Sequence, residues 1–445
     1  MNPSEDSAPL RDMCLAPWVH TYLSPQSERR MCCASREPAT NFKQYIDQQG
    51  ETGAYKPSTL EEHWNSEHMK DVRRRMMAGK TLPECEVCNH KLLNTSVYKD
   101  YFNTMFKQKR PALLEATDKD GTHHGLPVSF DYRVTNICGF KCRMCGPMLS
   151  SAWEAEERQN NPMFDVNNPW AVEPNRSQIL TFQNGQAADE LWAAAKEGRL
   201  EEIYWVGGEP LDWPLHWDIM QYLVDHDMAR NVYVRYNTNL HTIAWKKNLH
   251  LVNLLRKFRG WQICASIDAT HAVGEYIRTG SNYDRWLENL SILHNNPMPN
   301  GEVMLDLTLT LPGLVHIEGI LDLVDRYKFK LLTKVVFSFS PDIVLSPLSL
   351  PRNLLDDLVF KAWHLVKTTT YYNNDLFDLT KSLLDTLDNL KTRKTFAEEY
   401  PADQVMLGLW QGKARLQELE DRRGGLTMSE ILNKEPEIRK WYDGI

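Results

Sequence analysis

No run of about 18 apolar residues occurs in the 445-residue chain, so an ordinary membrane-spanning helix is not expected. The opening Met1-Asn2-Pro3-Ser4-Glu5-Asp6 lacks the basic-then-apolar order of a signal peptide, and a cytoplasmic location is the expectation. Basic excess is missing too. Fifty-one Lys+Arg against 59 Asp+Glu give a net charge of −8, the opposite of a generic nucleic-acid binder, so neither nucleic acid nor membrane is an expected partner. Cysteine is almost absent from the long C-terminal part: eight of the nine lie in the first 145 residues and only Cys264 lies beyond. In a cytosolic chain such clustering favours metal ligation over disulfides. What remains is ordinary globular composition, 42% hydrophobic and 25% charged, with enough length for one large domain with appendages or two to three smaller ones.

The densest chemistry lies in Cys138-Gly139-Phe140-Lys141-Cys142-Arg143-Met144-Cys145, a C-x3-C-x2-C stretch that follows a strand-like run from Pro127 to Arg133. Thiolates hold iron–sulfur clusters, and a [4Fe–4S] cube normally takes four. Three on one loop leave one iron open to another ligand. A three-cysteine zinc site is the alternative, although zinc usually closes with a fourth ligand.

From Val128 onward, short apolar runs alternate with helix-length segments, the βα pattern of a parallel sheet. The pattern predicts strands over 128–135, 202–206, 231–237, 261–267, 303–310 and 333–339. Polar motifs follow several of these strands. The second runs into Gly207-Gly208-Glu209-Pro210, where two glycines allow close backbone approach to a ligand. The third ends in Asn237-Thr238-Asn239, which reads equally as a turn-capping cluster. The fourth carries Cys264, Ser266 and Asp268 and is followed by Arg278.

Taken together, C-x3-C-x2-C, the Gly-Gly-Glu turn and the Ser-Ile-Asp strand end resemble the radical S-adenosylmethionine (SAM) enzymes, with Met144 where that family usually has an aromatic residue. The resemblance covers residues 128–340. It implies an α/β fold, a partial (β/α)6 TIM-type barrel. It implies a [4Fe–4S] cluster on Cys138, Cys142 and Cys145, with SAM on the open iron. Gly207, Gly208, Glu209 and Pro210 would meet the SAM amino group, and Thr238 and Asn239 the ribose. Ser266 and Arg278 would meet the carboxylate, for which a guanidinium fork is suited. Asp268 is read as a proton acceptor for a substrate radical or as a helix N-cap. Cys264 is read as a packed strand residue or as a thiol hydrogen-atom donor.

The N-terminal third holds Cys14, the pair Cys32-Cys33, and the Cys85-x2-Cys88 knuckle. One cysteine from the pair with the other three makes a four-ligand set, with Cys32 or Cys33 both open. Zinc is one reading. The segment Glu62–Arg73 leading to the knuckle is similar to the SPASM and twitch auxiliary-cluster modules, which normally follow the barrel and here precede it. That likeness implies a second, auxiliary [4Fe–4S] cluster on Cys14, Cys32, Cys85 and Cys88. His123-His124 is read as a solvated loop pair. The expected organisation is a module over 1–125, the barrel over 126–340 and a helical region over 341–445, with helices over 352–372, 375–396, 402–420 and 427–442.

By this resemblance the chain is expected to cleave SAM reductively and abstract a substrate hydrogen. The first expectation for the substrate is a peptide or protein, to be crosslinked, epimerised or dehydrogenated. A small molecule such as a sugar, aminocyclitol or nucleoside is the second. A non-catalytic iron–sulfur or zinc interaction protein is the reading from a different class. An electron donor of the flavodoxin or ferredoxin kind is the implied partner.

Overall fold

The computed structural model describes residues 13–36, 55–88, 97–246, 248–336, 343–371 and 374–445. It divides into two compact units. Unit 1 comprises residues 1–138, 147–235 and 257–260, and unit 2 comprises residues 139–146, 236–256 and 261–445. The loop Asp118–Gly125 lies within unit 1.

The sheet of unit 1 runs in the order β2-β1-β3-β4-β5. Its strands are β1 (His20–Leu23), β2 (Arg29–Arg30), β3 (Ser129–Tyr132), β4 (Glu202–Trp205) and the first half of β5 (Tyr233–Thr238). β3 pairs parallel with β4, Ser129 opposite Glu202. β1 pairs parallel with β3, His20 opposite Ser129, and antiparallel with β2. Thus part of the N-terminal third joins the same sheet as the first two strands anticipated from sequence. Period-two alternation sets the faces: Phe130, Ile203, Trp205 and Val234 are buried on one, and the other carries Asp131, Arg133, Glu202, Tyr204 and Arg235.

In unit 2 the C-terminal half of β5 is followed in sheet order by β6 (Gly260–Ile267), β7 (Gly301–Leu309) and β8 (Lys330–Val335). β6 and β7 are parallel, with Ser266 opposite Asp306, and β7 and β8 are parallel, with Leu332 opposite Asp306. All six strands anticipated from sequence have counterparts, the last ending earlier at Val335, while residues 337–339 lie outside those described. Helix Asn374–Thr392 covers β8, where Ser382 Oγ accepts the Thr333 amide at 2.9 Å. Its Leu383, Leu384, Leu387 and Leu390 are buried, as leucines at helical spacing should be.

Two helical segments are interrupted. The stretch from Ser58 to Ala78 is two helices, Leu60–Trp64 and Glu67–Met77, broken where Ser66 caps the Met69 amide. Buried Arg73 bridges the break through Trp64 O and Asn65 Oδ1, both at 2.8 Å. The region 427–442 is likewise divided into Met428–Ile431, a 3-10 turn Leu432–Lys434 and Pro436–Asp443, because Pro436 has no amide to continue a helix. His123 is a correction of a different kind. It is buried against Thr117, whereas His124 is exposed and meets Asp118 at 2.8 Å.

Candidate functional site

In unit 1 the Gly207–Glu209 turn is joined to the start of the cysteine loop. The Gly208 amide donates to Thr135 O at 3.0 Å and the Glu209 amide to Ile137 O at 2.6 Å, continuing the parallel β3–β4 pairing past the ends of both strands. Gly207 has φ +137°, a conformation that favours glycine. A Cβ on Gly208 would come within 2.4 Å of Ile137 O, so Gly208→Ala must push the Ile137–Cys138 segment aside. We expect it to cost about 1–3 kcal/mol, as overpacking does, and to lower the iron retained after reconstitution; wild-type stability and iron content would contradict this fit. The Glu209 side chain is buried and accepts from the Leu211 amide at 3.1 Å, and Pro210 opens a 3-10 turn over Pro210–Asp212.

The loop passes into unit 2 at Gly139. There the Cys145 amide turns back onto Cys142 O at 2.9 Å, and both thiols are half-buried. Burial pushes the Cys142 thiol up to about 12, an effect opposed by the Arg278 guanidinium. Lys141 and Arg143 donate their amides to Thr279 O and Ile277 O. The Arg143 guanidinium lies 3.7 Å from the Tyr276 ring centre and bonds Thr279 Oγ1 at 2.6 Å. The C-terminal region adds a brace. Tyr276 donates to Glu420 at 2.5 Å, and Arg423 donates to Lys141 O at 3.0 Å. Sequence reasoning missed this brace; a charged Arg143 between two presumed ligands was its one local sign.

A pocket of about 310 Å³, counting space open to solvent, is lined by Phe140, Asn239, Ser266, Arg278, Tyr283 and Trp286 among others. Three residues singled out from sequence therefore meet here, beside an aromatic ring of the cysteine loop. Asn239 Oδ1 also accepts the His241 amide at 3.0 Å, and Thr238 Oγ1 accepts the Leu240 amide at 3.0 Å. Thr238 thus takes part in the turn. Asp268 does not cap the following helix, whose N-cap is Thr270. Its fully buried carboxylate grips Arg278, Oδ2 to Nε at 2.6 Å and Oδ1 to Nη2 at 3.1 Å. Cys264 is buried on β6 opposite Met304, and by strand alternation shares its face with Ser266. Replacing Cys264 with alanine is expected to leave SAM cleavage uncoupled from product intact. Loss of product with SAM turnover retained would support the donor role, and loss of SAM turnover would contradict the expected separation.

A second concavity, in unit 1, encloses about 560 Å³ counting space open to solvent, and Cys14, Cys32, Cys85 and Cys88 all line it. Burial pushes the Cys14 thiol up to about 12 and raises Cys32 and Cys88 as well. Ionising such thiols requires a compensating cation, which a ligated metal supplies. Among the described residues, however, no group of three or more His, Cys, Asp or Glu side chains is arranged to hold a single metal ion. Cys33 does not line the concavity; it meets the Tyr98 hydroxyl and faces Asp131 and Arg133.

Residues 132–326 match the family model described as the Radical SAM superfamily. That match spans fewer than half of the 445 residues and supports an enzyme that uses SAM with a [4Fe–4S] cluster. Solved structures give weaker likenesses. One is Streptococcus suis SuiB bound to precursor peptide SuiA, at 11% identity over 61% of this chain and 52% of that one, with a TM-score of 0.33. Another is S. suis SuiB bound to S-adenosylmethionine, at 12% identity over 64% of this chain and 63% of that one, with a TM-score of 0.31. TYW1 with a lysine-pyruvate adduct bound is 13% identical over 52% of this chain and 70% of that one, with a TM-score of 0.29. No curated protein matches the chain. Among the described residues no helix is long and apolar enough to cross a membrane.

Proposed function

We propose that the chain is a radical SAM enzyme in which Cys138, Cys142 and Cys145 hold the [4Fe–4S] cluster. The observation that carries this reading is the pocket where Asn239, Ser266 and Arg278 converge beside Phe140. When bound there, the cluster would supply the one-electron reducing chemistry for SAM cleavage and hydrogen abstraction from the substrate. The protein's own residues bind and shield. Gly207 and Gly208 let the backbone approach the SAM amino group, Arg278 receives the carboxylate, and Asp268 holds Arg278 in place. A flavodoxin- or ferredoxin-like donor in the cytoplasm supplies the electron.

Cys14, Cys32, Cys85 and Cys88 are assigned to an auxiliary [4Fe–4S] cluster. The four thiols line one concavity without the close packing that a single zinc ion, with Zn–S bonds of about 2.3 Å, imposes. That supports the larger group, and the position of Cys33 outside the concavity supports Cys32 as the ligand. The substrate is read as a peptide or protein on the likeness of this module to those of SPASM and twitch enzymes. A small molecule is the second reading, favoured by the polar, charged face of the unit 1 sheet. The test is electron paramagnetic resonance of the reconstituted, reduced protein with and without SAM. SAM should change the cluster spectrum, and an unchanged spectrum would contradict an open iron.

A further inference from the structure

Rings and guanidiniums alternate across one face of the unit 1 sheet: Tyr22 on β1, Arg133 at the end of β3, Tyr204 on β4 and Arg235 on β5. Tyr101 of helix Val97–Met105 closes the row. The Arg133 guanidinium lies 5.2 Å from the Tyr22 ring centre and 5.7 Å from that of Tyr204. Arg235 lies 4.2 Å from Tyr204 and 3.9 Å from Tyr101. A guanidinium bordered by two rings in this way is held in orientation, with cation–π attraction on its faces and its N–H edges left to bond.

Those edges are only partly used. Asp131 accepts from Arg133 Nε and Nη2, both at 2.9 Å. Glu202 accepts from Ser129, from the Tyr101 hydroxyl at 3.1 Å and from Arg235 Nε at 2.9 Å. The two carboxylates are therefore well supplied with donors. A guanidinium carries five N–H donors and no acceptor. Among the described residues, Nη1 of Arg133 and both terminal nitrogens of Arg235 have no acceptor. His20 adds no charge to the face, because burial and the nearby Arg235 push its pKa down to about 3. This sheet face is thus rich in unspent donors. Buried ion pairs are also weak sources of stability compared with apolar packing, so a purely structural sheet face has little use for this row.

We propose that Arg133 and Arg235 bind an oxyanion of the substrate, a carboxylate or a phosphoryl group. The inference rests on the radical SAM reading above and names the substrate class for it. Its place in the fold suits that role: a Cβ on Gly207 would lie 3.3 Å from Arg133 Cα, so the arginine row adjoins the Gly-Gly-Glu turn.

The test is calorimetric titration of the full-length reconstituted protein with inorganic phosphate and, separately, with succinate. At least one should bind, and Arg235→Gln should weaken that binding about tenfold or more, the size of a lost charge-assisted bond. Arg235→Lys should retain part of it. Binding of phosphate alone identifies a phosphoryl group, and binding of succinate alone identifies a carboxylate. If Arg235→Gln fails to fold by circular dichroism, Arg133→Lys, which gives up the bidentate fork but keeps the charge, should show the weakened binding instead. Binding of neither anion by the wild type, or undiminished binding by the folded variants, would overturn the proposal. SAM cleavage measured on the same wild-type preparation separates the two readings. Cleavage without anion binding overturns only the oxyanion site, whereas absence of cleavage overturns the enzyme assignment.

Discussion

Asp268→Ala is expected to destabilise the protein by about 3–5 kcal/mol, the usual cost of stripping one partner from a buried ion pair. The Asp268 side chain is 0% exposed and Arg278 is 17% exposed, with the closest approach at 2.6 Å. Removing the carboxylate leaves a guanidinium that cannot shed its proton in a site from which water is largely excluded. The surface pair Arg439–Asp443, at 33% and 46% exposure, is a natural control and should be worth about 0–1 kcal/mol. Asp268→Asn keeps a hydrogen-bond acceptor but not the charge and should fall between. SAM affinity should decline alongside stability, because Arg278 loses the group that orients it. Denaturant unfolding of both variants measures the first effect and equilibrium dialysis with SAM the second. A loss in Asp268→Ala no larger than that of the surface control would contradict the role given to this pair.

Replacing Cys85 and Cys88 together with alanine should lower iron from about eight to about four per chain, if each site holds a four-iron cube. The concavity lined by Cys14, Cys32, Cys85 and Cys88 lies wholly in unit 1, and Arg143, Tyr276 and Glu420, which brace the Cys142–Cys145 segment, lie in unit 2. The remaining iron should therefore stay with Cys138, Cys142 and Cys145. Iron and acid-labile sulfide analysis of the variant checks this. Unchanged iron would overturn the auxiliary-cluster assignment, and zinc in the wild-type protein would replace it with a structural metal.

Local patterns made the strands legible. β5 shows why: Tyr233, Arg235 and Asn237 are half-buried while Val234, Tyr236 and Thr238 are buried, and that alternation is written in the sequence. Cysteine spacing and the Gly-Gly-Glu turn were legible for a similar reason, since each compresses its chemistry into a few neighbouring residues. Non-local features were not. β1 is four residues, His20-Thr21-Tyr22-Leu23, with no apolar alternation, and becomes a strand only by pairing with β3 more than a hundred residues away. The Glu420–Tyr276 and Arg423–Lys141 contacts join a C-terminal helix to the cysteine loop across still longer separations. The tyrosine–arginine row draws one residue at a time from four strands and a helix, so no window of sequence displays it. Asp268 misled because a carboxylate just before a helix usually caps it; here the stronger partner is the half-buried Arg278 guanidinium.

The most direct measurement is formation of 5′-deoxyadenosine by anaerobically reconstituted protein after reduction in the presence of SAM, beside a Cys138→Ala/Cys142→Ala/Cys145→Ala variant. The wild type should form it and the triple variant should not. Intact SAM in a wild-type sample that holds its iron and sulfide would contradict the assignment of this chain as a radical SAM enzyme.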